Sequence, residues 1–226
     1  MLEALTVNRT LRVGWRYLVI GTAIPLILTI ELLISSNRAI VFPTTFPLEV
    51  PIFAVLGSTA GLMTFTSDRA KGVFEYLLAY GIQPRTLFMN GLLAALAMSA
   101  IILSTSLAIG VGGAVAEGVA LKWNFEEAIL LYTLPMAFAG ALFTSTIGMI
   151  WSSVSSPRSG FNSPVGIAPM FGVAPTILVL IIAETVPTSE YYWVTGGAAA
   201  IIVVAVLVLL ALSARLLGRE RFLSPL

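Results

Sequence analysis

Residues 67–92 read SDRAKGVFEYLLAYGIQPRTLFMNGL, a short charged segment set between two apolar runs. Val73, Phe74, Leu77, Leu78 and Gly81 recur at spacings of three and four, while Asp68, Arg69, Lys71 and Glu75 occupy other positions. The spacing predicts a helix of about a dozen residues, greasy on one face and carrying both signs of charge on the other. Ser67 is the expected N-cap, and Asp68 falls in the expected first turn, where a carboxylate suits the amino end of a helix. Gly81 is the expected left-handed cap, and Pro84 stops any continuation. Such a segment reads as a surface for something in the cytoplasm to push.

The rest of the chain supplies the membrane. Of its 226 residues 58% are hydrophobic and 10% charged, with a mean hydropathy of +0.99. A water-soluble domain has about a quarter charged residues, so this chain lacks the polar surface to coat one. Apolar runs of about 20 residues recur at 17–36, 50–66, 87–112, 128–151, 165–185 and 193–214, which predicts six membrane spans in a single all-α domain, 1–226. An even number of spans puts both termini on one side. That side would hold Arg9, Arg12, Arg16, Arg69, Lys71, Arg85, Arg158, Arg215, Arg219 and Arg221, against only Arg38 and Lys122 opposite. The bias predicts cytoplasmic termini. The first run is too long for a cleaved signal and lacks a small-residue cleavage site.

Local features refine the plan. Residues 1–16 place Leu2, Leu5, Leu11 and Trp15 among Arg9, Arg12 and Arg16, readable as an interfacial helix or as a basic flank orienting the first span. Glu31 and Glu184 sit towards the outer ends of spans one and five; each reads as a rim carboxylate or as part of a substrate path. Pro43, Pro47 and Pro51 preclude a regular helix over the outer loop Asn37–Pro51, which also holds Glu49, and predict an extended lid or link. Gly112–Glu127 should lie flat over the outer face, and 152–164, rich in Ser, Gly and Pro, should be an irregular cytoplasmic loop. Small-residue stretches near Gly91 and Ala137 suit close helix packing, within the bundle or between two copies.

The segment Asp68-Arg69-Ala70-Lys71-Gly72-Val73-Phe74-Glu75-Tyr76-Leu77-Leu78 resembles the cytoplasmic element of ABC-2 type transporter permeases. The surrounding plan is similar too: a basic amphipathic N-terminus, six spans, this element between spans two and three, and a short basic tail at 215–226. Gly81 stands where the family often has Pro, and Asn90-Gly91 where it often has Gly-Lys. The resemblance implies that 67–83 is a coupling helix docking into a separate P-loop ATPase subunit. Its contacts would be Asp68, Arg69, Lys71, Gly72, Phe74, Glu75 and Tyr76, with Phe74 or Tyr76 as the anchor. It further implies export across the cell membrane by a pair of permeases, identical copies or sisters, with ATP and Mg2+ held by the partner subunit. No nucleic acid is expected among the partners.

Other classes fit less well. The chain has no GxxxxGK[ST] loop, so nucleotide would have to bind elsewhere. It has no histidine and no cysteine. A histidine-dependent intramembrane serine protease and an HExxH metalloprotease are thereby excluded, and neither a catalytic nor a metal site is expected. Glu126-Glu127 lacks the arginine of a glutamate-pair protease motif, since Leu131 stands there. An ion-coupled carrier would want a carboxylate at mid-membrane, and a non-transporting scaffold could share the same architecture. The apolar interior with scattered Ser, Thr and Met favours a lipophilic or amphiphilic cargo.

Overall fold

The computed structural model describes residues 12, 15, 19, 22–23, 26–27, 29–34, 38–119, 129–154, 164–185 and 188–216. They are almost entirely helical. The bounded helices are α1 (Arg38–Ala70), α2 (Val73–Ala79), α3 (Pro84–Ala116), α4 (Leu134–Val154), α5 (Pro164–Thr185) and α6 (Thr188–Leu216). A π-helical turn, Ile129–Thr133, runs straight into α4.

Among the described residues four helical stretches are long and apolar enough to cross a bilayer: Thr45–Ala70, Pro84–Ala116, Leu134–Ser153 and Trp193–Leu212. They cover the second, third, fourth and sixth expected spans. Over the fifth lies α5, a helix of 22 residues. The first, 17–36, is described only in part, as helix at 19, 22–23, 26–27 and 29–34. Of the amphipathic segment 1–16 only Arg12 and Trp15 are described, both helical and exposed. Residues 120–128, 155–163 and 217–226 lie outside the described residues, and with them half of the expected outer loop Gly112–Glu127 and most of the expected cytoplasmic loop and tail; the start of that outer loop, through Ala116, is not a flat loop but the end of α3.

Burial is distributed as a bilayer demands. Ser58, Ser99, Ser106, Thr144, Ser145 and Thr176 are buried, whereas Ile201, Val204, Leu207 and Val208 of α6 stand exposed. In water that arrangement would leave a large apolar patch uncovered. In lipid it leaves apolar side chains against acyl chains and turns hydroxyls inward, where carbonyls can accept from them. Ser106, Ser145 and Thr176 donate to the carbonyls of Ile102, Ala141 and Gly172 four residues back, at 2.7, 2.7 and 2.8 Å.

α1 is the axis of the bundle, packing most extensively on α3 and α4. Its pairing with α3 is antiparallel: Phe65 lies over Gly91, Gly61 meets Ala95, and the Ser99 hydroxyl donates to the Ala54 carbonyl at 2.7 Å. The approach is close because Gly61 has no side chain; a Cβ there would overlap the Ala95 backbone. With α4 the pairing is parallel, Val55 packing at Gly140 and Leu62 at Gly148. The small residues near Gly91 and Ala137 thus serve intramolecular packing, one of the two readings their sequence allowed.

Two further expectations are corrected. The Pro-rich stretch Asn37–Pro51 is not an extended lid or link: from Arg38 onward it is the first part of the 33-residue α1, so the helix that carries the second span begins well before residue 50. Proline's fixed φ is a helical φ; what it removes is one N–H, and a neighbouring hydroxyl can serve the carbonyl left over. Second, Ser67 is not an N-cap and Asp68 is not in a first turn. Both belong to the last turn of α1, where the Lys71 N–H bonds to the Ser67 carbonyl at 3.0 Å. The dozen-residue helix expected over 67–83 shortens to the seven residues of α2.

Candidate functional site

The candidate site is the turn from α1 through α2 into α3. Two glycines with positive φ define it: Gly72 at +70° and Gly81 at +84°. Side chains strain this left-handed conformation, so glycine is the residue that lets the backbone reverse within one position. At Gly72 the chain leaves α1, the Gly72 N–H bonding to the Arg69 carbonyl at 3.0 Å, and the Gly72 carbonyl accepts from Tyr76 N–H at 3.2 Å to open α2. At Gly81 α2 closes with two bonds, Gly81 N–H to the Leu78 carbonyl at 3.1 Å and Ile82 N–H to the Leu77 carbonyl at 3.2 Å. This is the Schellman pattern, and Leu77 and Ile82 pack on the same core beneath it. Pro84 then begins α3 at a position where its missing N–H costs nothing.

The apolar face of α2 is turned into the bundle. Phe74 is 5% exposed and Leu78 is 2% exposed, both in one cluster with Leu62, Phe65, Leu87, Phe88 and Met149. Phe74 meets Phe65 edge to face with ring centroids 4.9 Å apart. Burial of the Phe74 ring contributes about 1.5–3 kcal/mol, and the edge-to-face pair adds to it. α2 is therefore fixed to the end of α1, and its Phe74 and Leu78 share one apolar cluster with residues of α3 and α4.

The polar residues divide into two sets. Arg69 is buried, and its Nη1 donates to the carbonyl of Ser152 in the last turn of α4. A guanidinium donating to a carbonyl makes a charge-assisted bond, stronger than a neutral one. Lys71 is exposed, Glu75 is half-buried in the first turn of α2, and Asp68 is half-buried in the last turn of α1. Tyr76 and Tyr80, one turn apart, stand 62% and 70% exposed with rings 4.7 Å apart. The Tyr76 hydroxyl donates to that of Tyr80 at 3.0 Å. This bond, with a smaller effect of burial, raises the Tyr76 phenol above its ordinary pKa.

Of the seven contact residues expected from sequence, the structure presents Lys71, Glu75 and Tyr76 on or near the surface and turns Phe74 and Arg69 inward. Phe74 is packed into the bundle, so of the two side chains offered as an anchor only Tyr76 is exposed. Tyr80 was missed; its spacing of four from Tyr76 on the polar side of the helix was the available signal. At the other end of the bundle Glu31 is exposed on the 29–34 helix. Beside it an open cleft of about 490 Å³ is lined by Ile30, Leu33, Ile34, Gly113, Ala116 and Glu117. Glu184 lies next to the last residue of α5, apart from Glu31 in sequence, and its side chain is outside the described set. Among the described residues no three of His, Cys, Asp and Glu come together as metal ligands.

No protein-family model, curated protein or solved structure matches the chain.

Proposed function

We propose that this chain is the membrane-spanning permease subunit of an ABC exporter. In this reading it crosses the cell membrane six times with both termini cytoplasmic. It pairs with a second permease to form the pathway and is driven by a separate P-loop ATPase subunit that binds ATP and Mg2+. The chain itself carries no ATPase site. The observation that carries the reading is the construction of α2: a seven-residue helix clamped between left-handed glycines, with Phe74 and Leu78 in the bundle and Tyr76 facing out. A push on a loop would be absorbed by the loop. A push on Tyr76 is passed through α2 to the ends of α1, α3 and α4, which is the mechanical requirement for coupling.

The arginine and lysine distribution supports the same side for α2 and the termini, the side on which an ATPase would be met. Lys71 and Glu75 offer both signs of charge beside the tyrosine pair, which suits orientation of a partner more than raw affinity. The apolar interior with scattered Ser, Thr and Met supports a lipophilic or amphiphilic cargo.

The test is reconstitution in nanodiscs with the cognate ATPase. Lys71→Glu and Glu75→Lys should each leave basal hydrolysis intact and remove its stimulation by cargo. Wild-type stimulation in both variants would remove the coupling assignment and move weight to a scaffold with the same architecture.

A further inference from the structure

The end of the bundle opposite α2 holds a bond that helix chemistry explains. In a regular helix the Pro47 carbonyl accepts from the N–H of residue 51, but residue 51 is proline and has none. That carbonyl is instead taken by the hydroxyl of Thr133, which donates to it at 2.8 Å. Thr133 is fully buried and is the last residue of the π-helical turn that leads into α4. A π turn admits a residue in excess of the regular helix and can be released into α geometry without breaking the chain.

The bond joins two separately packed groups. On one side Phe42, Phe46 and Val50 of α1 pack with Leu33, Ala114 and Val119. On the other, Tyr132 and Met136 pack with Ala139 and with Ala199 of α6. Between Pro47 and Pro51 α1 lacks a backbone tie, and at that point the Thr133 hydroxyl holds the two groups together.

We propose that the Thr133–Pro47 bond is a latch. It pins the proline-softened first part of α1 to the π turn, and its release lets that part of α1 pivot at 47–51, carrying the 29–34 helix and the end of α3 away from α4. The inference rests on the proline, the hydroxyl, the π turn and the two packed groups, and is independent of the transport reading.

A double-variant cycle tests it. Pro51→Ala supplies the missing N–H, so the Pro47 carbonyl gains an intrahelical partner and Thr133 becomes redundant. The chain has no cysteine, so paired labels at Leu130→Cys and Val115→Cys, both exposed sites, report the distance across the latch by pulsed electron resonance in nanodiscs. In the native background the distribution should be narrow. Thr133→Val should broaden it, with the open form favoured about 2- to 12-fold, the range of one neutral hydrogen bond. Thr133→Ser should restore the narrow distribution, and so should Pro51→Ala added to Thr133→Val. An unchanged distribution in Thr133→Val overturns the latch, as does a broadening that Pro51→Ala fails to relieve. If Thr133→Val does not yield folded protein, recovery of folding by Pro51→Ala supports the latch, and failure to recover overturns it.

Discussion

α1 and α4 run side by side and are tied by a side chain at each end, yet the two ties differ in kind. At the α2 end a buried guanidinium, Arg69, donates to the Ser152 carbonyl of α4. At the opposite end a neutral hydroxyl, Thr133, replaces an N–H that proline removed. The first is charge-assisted and buried. The second is one ordinary bond between softer elements. The difference teaches where this molecule is rigid and where it can yield: the end bearing α2 is a block, and the other end is a joint.

The largest expected effect falls on the block. Phe74→Ala removes the ring that fixes α2 and should destabilise the protein by about 3–5 kcal/mol, read as a large drop in thermal midpoint in detergent. A small drop would mean that α2 is not fixed to the bundle. Arg69→Gln keeps a donor but loses the charge, and should cost about 1.5–3 kcal/mol, more than Thr133→Val. Equal costs for the two would erase the asymmetry between the ends. Gly81→Ala forces a side chain into φ +84° and should cost about 1–2 kcal/mol, while hydrogen exchange at the opposite end stays unchanged. Exchange rising at both ends would show one cooperative body in place of a block and a joint. Tyr76→Ala should change stability by less than about 0.5 kcal/mol, since its ring is mostly outside the core. A larger loss would make the tyrosine pair structural.

The block was largely legible in the sequence and the joint was not. The three-four spacing of Val73, Phe74, Leu77 and Leu78 names the inward face of α2, and Gly81 announces its end, because local geometry alone dictates both. The start of α2 was misplaced: Ser67 and Asp68 look like a cap and first turn, but nothing in their local chemistry prevents α1 from continuing to Gly72. The inward turn of Arg69 depends on a carbonyl 83 positions away, a distance no periodicity encodes. The joint fails for a related reason. Pro43, Pro47 and Pro51 break an isolated helix, and only the hydroxyl 86 positions beyond Pro47 makes one of the losses tolerable. Glu49 was read as part of an outer loop and sits instead, half-buried, within α1.

The most direct test of the transport reading is capture of the partner. The tagged chain, purified in mild detergent, should bring down a P-loop ATPase in stoichiometric amount. Tyr76→Ala with Lys71→Glu should lose that partner while the permease keeps its thermal midpoint. A chain that purifies without any ATPase, even after crosslinking at Lys71, would contradict the account.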